Sequence, residues 1–593
     1  MKKTAGFLAF LFFISLSQAS ADIEWQTWSP DLFERAKKEN KFVLLDLRAV
    51  WCHWCHVMED TTYRDPKVME LIGSKYIAVS VDQDAFPDLS VRYENWGWPA
   101  TIVFSADGHE IVKRRGYIPP EPMASMLDAI IKDPTPGPSV FQEDPVKAKD
   151  RSVLDPEQRT RLEADHRASY DSQFGGWGTV HKLIDADSLE YAIDRAENGD
   201  PDEGSMARRT LDEALNLLDH EWGGFYQYSD SQDWKSPHYE KLLSIQADYV
   251  RWYALAYSAF VEPRYYEAAH ATLDYALKYL SGSEGAFYVS QDADVDSQFN
   301  GYSFYSLKDD ERAHLGRMPK VDTHLYAREN GWMIRALAAF YDATGEEKYL
   351  AKALTAAQWV LTERLSEKGG FRHDVQDAAG PYLGDTLSMA QAFLALYEST
   401  GDRQWLIHAQ NAADFIQRSF KKDADPEAGY FSSAPSGEAK GVFRDAVKNV
   451  SENAQVARLT NKLFHATGRT SYRSMAETAM RFLASDEVLS RRGFLTGILS
   501  ADEELGSDPL HLTVVGKKDD PKAKALYQAA LGYPSVYRRV EWWDRREGAL
   551  PHSDVDYPEL EEAAAFVCAK RACSPPFFSP EKIAPAIDRL KKA

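Results

Sequence analysis

The chain has 593 residues, a formal net charge of −22 and 12% aromatic residues. This length predicts several domains, since a single domain usually takes about 100–200 residues. The charge excludes the nucleic-acid-binding classes, because no basic stripe exists to neutralise phosphates. Four cysteines form two local pairs, which are too few for a disulfide-rich scaffold.

The first 21 residues are typical of a secretory signal peptide. Two lysines precede an apolar run over 5–16, and the small residues at 19–21 offer a cleavage site. Asp22 follows in place of the cysteine of a lipoprotein. No other apolar run approaches about 18 residues, so we expect no membrane span after cleavage. The predicted localisation is secreted, with a bacterial periplasm as the expected compartment, where disulfides persist.

Residues 22–133 predict an α/β domain. A buried apolar strand leads directly into Cys-His-Trp-Cys and a helix, and Pro66 starts a second helix because proline suits a first turn. Asp107-Gly108 predicts the turn of a later hairpin. The predicted strands lie at 41–47, 77–81, 100–104 and 110–113. This arrangement is thioredoxin-like.

Single residues support the resemblance to thioredoxins. Asp46 lies six positions before Cys52, where thioredoxins keep a buried acid. Trp51 matches the tryptophan that precedes the first cysteine, and Pro99 matches the cis-proline whose loop faces the disulfide. The resemblance implies a redox centre in this loop.

The predicted chemistry is thiol–disulfide exchange. Cys52, at a helix start, is expected to be the exposed nucleophile, and Cys55 the cysteine that resolves the mixed disulfide. His53 is expected to tune thiolate stability, or else to be an exposed loop residue. Asp46 could accept a proton from Cys55 or be only a strand acid. Haem attachment is disfavoured because the motif lies at a strand-to-helix junction, and zinc because the side chains of the motif are too close together to converge.

Residues 134–150 begin with a proline-rich linker, and long amphipathic segments follow over 151–505. Glycine-aromatic turns recur at steps that each hold two helices, at Gly175, Gly223, Gly285, Gly369, Gly429 and Gly493. Six helical hairpins of this kind predict an all-α (α/α)6 toroid. The alternative is an open helical solenoid.

The whole chain resembles a family of thioredoxin-like proteins fused to a six-hairpin glycosidase-like toroid, which includes the animal spermatogenesis-associated thioredoxin-like protein. "WCHWCHVM" from Trp51 is the most specific motif, and "GGWGTVHK" from Gly175 and "PHYEKLL" from Pro237 are similar to further family motifs. Departures fall in the toroid mouth, such as "VDSQFNGY" after Asp294. The resemblance therefore implies a fold more firmly than a reaction.

The expected mouth of the toroid carries candidate substrate-binding residues. Related toroids act on sugars through carboxylates or histidines, because glycoside hydrolysis needs two carboxylates and epimerisation needs an acid and a base. Each candidate could equally cap a turn or pair with a neighbouring side chain. The candidates are His238, Glu240, Asp248, Asp292, Asp294, His373 and Asp385.

Residues 506–593 predict a small α/β segment. Strands are expected at 510–516, 536–543 and 563–568, with a helix over 521–531. Cys568 and Cys573 follow the third strand and are expected to form a local structural disulfide. The alternative is a relay that exchanges electrons with Cys52 and Cys55.

The sequence thus predicts a multidomain chain: an N-terminal thioredoxin-like fold, a central toroid and a C-terminal α/β segment. The favoured function is an exported thiol–disulfide oxidoreductase, whose toroid recognises a thiol- or disulfide-bearing protein partner or a carbohydrate. Two alternatives stay open: a glycoside hydrolase or sugar epimerase with a regulatory thioredoxin module, and a non-catalytic binding protein. No cofactor and no metal are expected.

Overall fold

The structure is a computed structural model. It describes residues 22–140, 146–377, 380–422, 427–434, 441–491, 493–569 and 572–592. The predicted signal peptide, 1–21, lies outside the described residues. No helix within the described ranges combines the length and the apolar composition that crossing a membrane requires.

The N-terminal domain alternates strands with helices. Its strands are β1 (Phe42–Arg48), β2 (Tyr76–Asp82), β3 (Ala100–Phe104) and β4 (Glu110–Arg115). Its helices are α1 (Leu32–Glu39), α2 (His53–Asp60), α3 (Pro66–Lys75), α4 (Pro87–Tyr93) and α5 (Pro120–Lys132). The sheet order is β2-β1-β3-β4, with β1 parallel to β2 and the other pairs antiparallel. The predicted thioredoxin-like fold is confirmed, and α4 is an addition to it.

The central strand β1 explains why this domain folds around the cysteine pair. Val43, Leu45 and Leu47 face one cluster of apolar side chains, and Leu44 faces the other, so both faces of the strand are buried. A strand of this kind reads as a continuous apolar run instead of an alternating pattern. The loop that carries the cysteines leaves the carboxyl end of this buried strand.

The central region is built from paired helices. In chain order they are α6 (Pro156–Ala168), α7 (Ala186–Glu197), α8 (Pro201–Ala214), α9 (Leu243–Phe260), α10 (Pro263–Tyr279), α11 (Gly301–Tyr305), α12 (Asp309–Leu315), α13 (Ala327–Thr344), α14 (Glu347–Glu363), α15 (Leu383–Thr400), α16 (Arg403–Ser419), α17 (Val450–Thr467), α18 (Thr470–Leu483), α19 (Asp486–Leu489) and α20 (Thr496–Gly506). Short strands lie between them, namely β5 (Tyr228–Ser229), β6 (Pro237–His238), β7 (Lys241–Leu242), β8 (Ser290–Gln291) and β9 (Val321–Asp322).

The helices close into a ring. Each of the inner helices α7, α9, α13, α15, α17 and α20 packs against the next, and α20 packs back against α7. The outer helices α8, α10, α14, α16, α18 and α6 each pack on one inner helix. This closure confirms the (α/α)6 toroid and rules out the open solenoid.

Two hairpin turns of the toroid are built in the same way, each around its own buried lysine. The sequence Asp-x-x-x-Gly-Gly starts at Asp171 and again at Asp219. Lys182 Nζ donates to Asp171 Oδ2 at 2.8 Å, and Lys241 Nζ donates to Asp219 Oδ2 at 2.7 Å. Gly223 has a φ of 77°, and a Cβ there would lie 2.2 Å from the carbonyl oxygen of Ala271. Glycine is therefore required at this turn.

The C-terminal segment repeats the strand order of the first domain. It contains β10 (Leu510–Val515), α21 (Pro521–Leu531), β11 (Arg538–Trp543), β12 (Ala564–Ala569), β13 (Ala572–Cys573) and α22 (Ile583–Lys592). The order is β11-β10-β12-β13, with β10 parallel to β11 and the other pairs antiparallel. Cys568 and Cys573 are direct partners of the β12–β13 pair and form a disulfide.

The two α/β domains contact opposite ends of the toroid. Near the start of α15, Asp385 bonds His373, which in turn contacts the carbonyl oxygen of Asp84 in the first domain. Near the end of the same helix, Tyr397 donates to Glu541 of β11. The twelve residues from 385 to 397 separate the two contacts by about 18 Å along the helix.

A candidate redox centre covered by the toroid mouth

The cysteine pair lies at the start of α2. Cys52 is the N-cap residue, and its Sγ accepts a hydrogen bond from the Cys55 backbone N at 3.2 Å. The two cysteines are joined in a disulfide. A sulfur at this position faces the free N–H groups and the positive end of the helix dipole, which stabilise a thiolate.

The toroid covers this disulfide. Cys52 is 4% exposed and Cys55 is 3% exposed, and Leu242 of β7 and Trp98 pack against their cluster. The Trp98–Pro99 peptide bond is cis, as in the loop that the thioredoxin resemblance implies. The sequence predicted an exposed nucleophile, which is wrong for this arrangement because the toroid mouth seals the disulfide.

His53 is held by two acids of the toroid. Its Nδ1 lies 2.6 Å from Asp294 Oδ2, and its backbone N donates to Glu240 Oε1 at 3.3 Å. The hydrogen bond to Asp294 raises the pKa of the His53 imidazole above its ordinary value, in opposition to burial. The expected cationic histidine beside the first cysteine therefore has a structural cause.

His56 lies beside a second acid of the same toroid loop. His56 Nε2 is 3.7 Å from Asp292 Oδ2, and it lies 3.1 Å from the carbonyl oxygen of Val50. Burial raises the pKa of Asp292 to about 6, although His56 opposes this rise. His56, Asp292 and Asp294 offer ligand atoms within 4.8 Å of one another, the one such group among the described residues. Asp294 is already bonded to His53, and structural zinc sites use four ligands.

Asp46 is buried beneath the site. It accepts a hydrogen bond from Tyr63 at 3.1 Å, and burial raises its pKa to about 6. Among the described residues, no hydrogen bond joins Asp46 to either cysteine. An acid that is partly protonated near neutral pH can accept or release a proton. Asp46 can therefore still be either a proton acceptor for Cys55 or only a buried acid of the strand.

Trp51 connects the site to the toroid through an acid that the sequence did not single out. Trp51 Nε1 donates to Asp84 Oδ2 at 2.6 Å, and burial raises the pKa of Asp84 to about 8. His373 Nε2 lies 2.7 Å from the carbonyl oxygen of Asp84, and His373 Nδ1 lies 2.9 Å from Asp385 Oδ1. The available sequence signal was the pair of acids at 82 and 84, of which the first ends β2 and the second follows it.

The remaining candidates divide between the mouth and the interior. His238 lies at the mouth, with Nε2 2.7 Å from Asp230 and Nδ1 3.7 Å from Glu240. Asp248 was expected at the mouth, but it lines the interior cavity of the ring, since it lies more than one turn into α9. The relay expected as an alternative for Cys568 and Cys573 is also wrong for this arrangement, because the two pairs lie beyond opposite ends of the toroid.

Two families match parts of the chain. The family described as "Thioredox_DsbH: Protein of unknown function, DUF255" matches residues 13–132. The family described as "Beta-L-arabinofuranosidase, GH127 catalytic domain" matches residues 316–513. The first match contains the whole cysteine-bearing sheet, and the second runs from before α13 to β10.

Relatives resemble the chain over different lengths. Spermatogenesis-associated protein 20 of Homo sapiens is 26% identical over 320 residues, which cover 47% of this chain and 40% of that protein. Thioredoxin H7 of Arabidopsis thaliana is 36% identical over 103 residues, which cover 17% of this chain and 74% of that protein. The match thus spans less than half of the longer relative.

Among solved structures, a D-mannose isomerase is 13% identical, with a TM-score of 0.45. The similarity covers 59% of this chain and 96% of that one.

Proposed function

Since this chain belongs to the family of thioredoxin-like domain proteins fused to a six-hairpin toroid, we propose that it is an exported thiol–disulfide oxidoreductase that works through Cys52 and Cys55. One observation carries the proposal: the Cys52–Cys55 disulfide caps the N-terminus of α2, beside the loop of the cis Trp98–Pro99 bond. That position stabilises the thiolate of the first cysteine, which is the leaving or attacking group in exchange.

The proposed reaction transfers two electrons from a partner dithiol. Because Cys52 is only 4% exposed, the reaction requires the toroid mouth to move off the cysteine pair. A partner thiolate then attacks Cys52 Sγ, and the Cys52–Cys55 bond breaks as Cys55 leaves as a thiolate. The second partner thiolate then attacks the partner sulfur of the mixed disulfide and releases Cys52. The partner gains a disulfide, the protein gains two thiols, and the two protons of the partner dithiol pass to the two cysteines or to solvent. The reverse sequence reduces a partner disulfide.

His53 and Asp294 influence the reduction potential of the Cys52–Cys55 pair. A cationic His53 adjacent to Cys52 favours the thiolate form, and the hydrogen bond to Asp294 raises the pKa of His53 and so favours that cation. Stabilising the thiolate stabilises the reduced protein, which makes the disulfide a stronger oxidant. The arrangement therefore supports a pair that accepts electrons more readily than one without a cation beside it.

We assign to the toroid mouth the role of holding and screening the redox centre. Glu240, Asp292 and Asp294 face His53 and His56 instead of an empty funnel. These contacts favour the oxidoreductase over a glycosidase that uses the same mouth carboxylates. Trp54 is 44% exposed and packs against Tyr117, and it offers an apolar surface beside the motif for a thiol-bearing protein partner.

A redox titration of the purified protein tests the proposal. Thiols are trapped in glutathione buffers of graded poise, and mass spectrometry reports Cys52 and Cys55 separately from Cys568 and Cys573. We expect a reversible two-electron transition of the first pair between about −270 and −120 mV. A pair that never exchanges, or that carries a haem mass, would overturn the proposal. Fractionation of the producing cells tests the export.

A further inference from the structure

The interior of the toroid holds a polar cavity of about 290 Å³. Five inner helices, α7, α9, α13, α15 and α17, contribute side chains to it, and residues 531–538 of the C-terminal domain complete its wall. The volume is close to the lower end of ligand sites, which hold about 300–1,000 Å³. A ligand here would be of monosaccharide size.

Two guanidinium groups at this cavity are paired with acids. Arg251 forms an ion pair with Glu190. Arg458 lies 2.8 Å from Glu504 and 3.5 Å from Glu190. Buried charges require such partners, because removing an ion from water costs several kcal/mol. The charges of these four side chains therefore compensate one another without a ligand.

Arg335 is the exception. It lines the cavity from α13, and no carboxylate of the described residues lies within 4.0 Å of its guanidinium. Burial, with Arg251 nearby, lowers the pKa of Arg335 to about 10, so the group is still a cation at neutral pH. The side chain is half-buried at the cavity wall, and a ligand that supplies an anion there would give this cation the direct partner that the protein does not.

Two further acids line the cavity beside these arginines. Burial raises the pKa of Asp187 to about 7, and it also raises the pKa of Asp248. Both side chains line the same cavity. At neutral pH a fraction of Asp187 is protonated, so this acid can donate a hydrogen bond to a ligand oxygen.

The neighbouring amides offer further hydrogen bonds. Gln391 Nε2 lies 3.3 Å from Gln455 Oε1, and the Oε1 atom of Gln391 is buried without a hydrogen-bond partner among the described residues. Trp332, one turn before Arg335 on α13, also lines the cavity. Amide groups recognise hydroxyls, and an aromatic face suits a sugar ring.

We propose that this cavity is a binding site for a small sugar acid, in which Arg335 pairs with the carboxylate and Gln391 and Gln455 bond the hydroxyls. A guanidinium fork matches a planar carboxylate bidentately, which explains why an arginine stands there unpaired. The site lies inside the ring, distinct from the covered disulfide at the mouth. It adds a small-molecule ligand to a chain whose proposed reaction needs none.

Calorimetric titration and thermal shift with the full chain test this site. The probes are D-glucuronate, D-galacturonate and D-gluconate, with D-glucose as the uncharged match and glucose 6-phosphate as the phosphate match. We expect at least one sugar acid to bind saturably and raise Tm, while glucose and the phosphate do not. Absence of binding by all three acids at about 10 mM, or equal binding of glucose or of the phosphate, overturns the proposal.

Variants assign the binding to the named residues. Arg335→Gln is expected to weaken acid binding about tenfold or more, since it removes the charge-assisted pair, and Arg64→Gln, on an exposed arginine, leaves it unchanged. Gln391→Glu is isosteric and supplies the missing anion to the cavity, so it should fold, keep or raise Tm and abolish acid binding. Unaltered acid binding in both Arg335→Gln and Gln391→Glu would overturn the assignment.

Discussion

His53 Nδ1 lies 2.6 Å from Asp294 Oδ2, although the two residues are 241 positions apart in the chain. A residue of the Cys-His-Trp-Cys motif is thus fixed by a carboxylate of the toroid. The contact joins the two domains at the redox centre, so the electrostatics of the cysteine pair depend on the docking of the toroid.

Asp294→Asn is expected to lower the pKa of His53, because the variant removes the anion that favours the imidazolium. At pH about 7.5, above the ordinary histidine pKa of about 6.5, His53 then loses charge and the Cys52 thiolate loses stabilisation. The reduction potential should fall by about 30 mV, which equals about a tenfold change in the equilibrium constant. NMR titration of His53 and a glutathione titration measure the two effects.

The matched control is Asp296→Asn, two positions further along the same loop. Asp296 pairs with Arg317 and is away from the cysteine motif. This variant should leave both the His53 pKa and the potential at their wild-type values. An unchanged His53 pKa in Asp294→Asn would contradict the electrostatic role given to Asp294.

Cys55→Ser is expected to trap a mixed disulfide between Cys52 and a disulfide-bearing partner. The variant keeps the attacking sulfur and removes the resolving one, so the intermediate cannot collapse through Cys55. Non-reducing electrophoresis after incubation with an oxidised peptide, whose disulfide the Cys52 thiolate attacks with release of one peptide thiol, measures the trapped fraction. The double variant Cys568→Ser/Cys573→Ser should turn over like wild type, and loss of exchange in it would instead indicate a role for the second pair.

His373→Gln is expected to flatten the loss of stability at alkaline pH. Burial lowers the pKa of His373, but Asp385 outweighs burial and the pKa reaches about 9. Protonated His373 can donate from both nitrogens, to Asp385 and to the Asp84 carbonyl oxygen. Its folded pKa is raised, so its stabilisation, on the order of 3 kcal/mol, is present below pH about 6.5 and is lost as pH rises through about 9.

Scanning calorimetry from pH about 6 to 10 measures this contribution. Tm of the wild type should fall across that interval, and Tm of His373→Gln should start lower and change less. Asp84 also lowers the stability of the folded state as pH rises towards about 8. Its pKa is raised to about 8, so the folded state favours the protonated acid. His408→Gln is the control, because burial lowers the pKa of His408, which is the opposite direction to the shift of His373. Parallel curves for wild type and His373→Gln would contradict the assignment.

Lys182→Met is expected to destabilise the toroid by about 3–5 kcal/mol, because it leaves the Asp171 carboxylate without its cation. Lys182 is fully buried, and its Nζ also donates to the carbonyl oxygens of Gly175 and Gly178. A lower Tm in thermal unfolding measures the effect. Lys235→Met, on an exposed lysine, should leave Tm near wild type, and Asp171→Asn/Lys182→Met should recover part of the loss. Equal Tm values for Lys182→Met and Lys235→Met would refute the structural role.

Local patterns were sufficient to predict much of the fold. The apolar run predicted at 41–47 became β1, the helix predicted over 521–531 became α21, and the glycine-aromatic turns marked hairpins of the ring. These features depend on neighbouring residues: an apolar run, a helical period, or a glycine that alone tolerates a positive φ. The pairing of Cys52 with Cys55 is local in the same sense.

The sequence by itself determined the multidomain fold class, the position of the cysteine pair at a helix start, and most strands of the two α/β domains. Only the tertiary structure decided that the toroid covers the disulfide, that Asp294 and Glu240 hold His53, and that Asp248 faces the interior instead of the mouth. Such contacts join residues far apart in the chain, and no local periodicity specifies which distant carboxylate meets which histidine. Ring closure and domain docking bring them together.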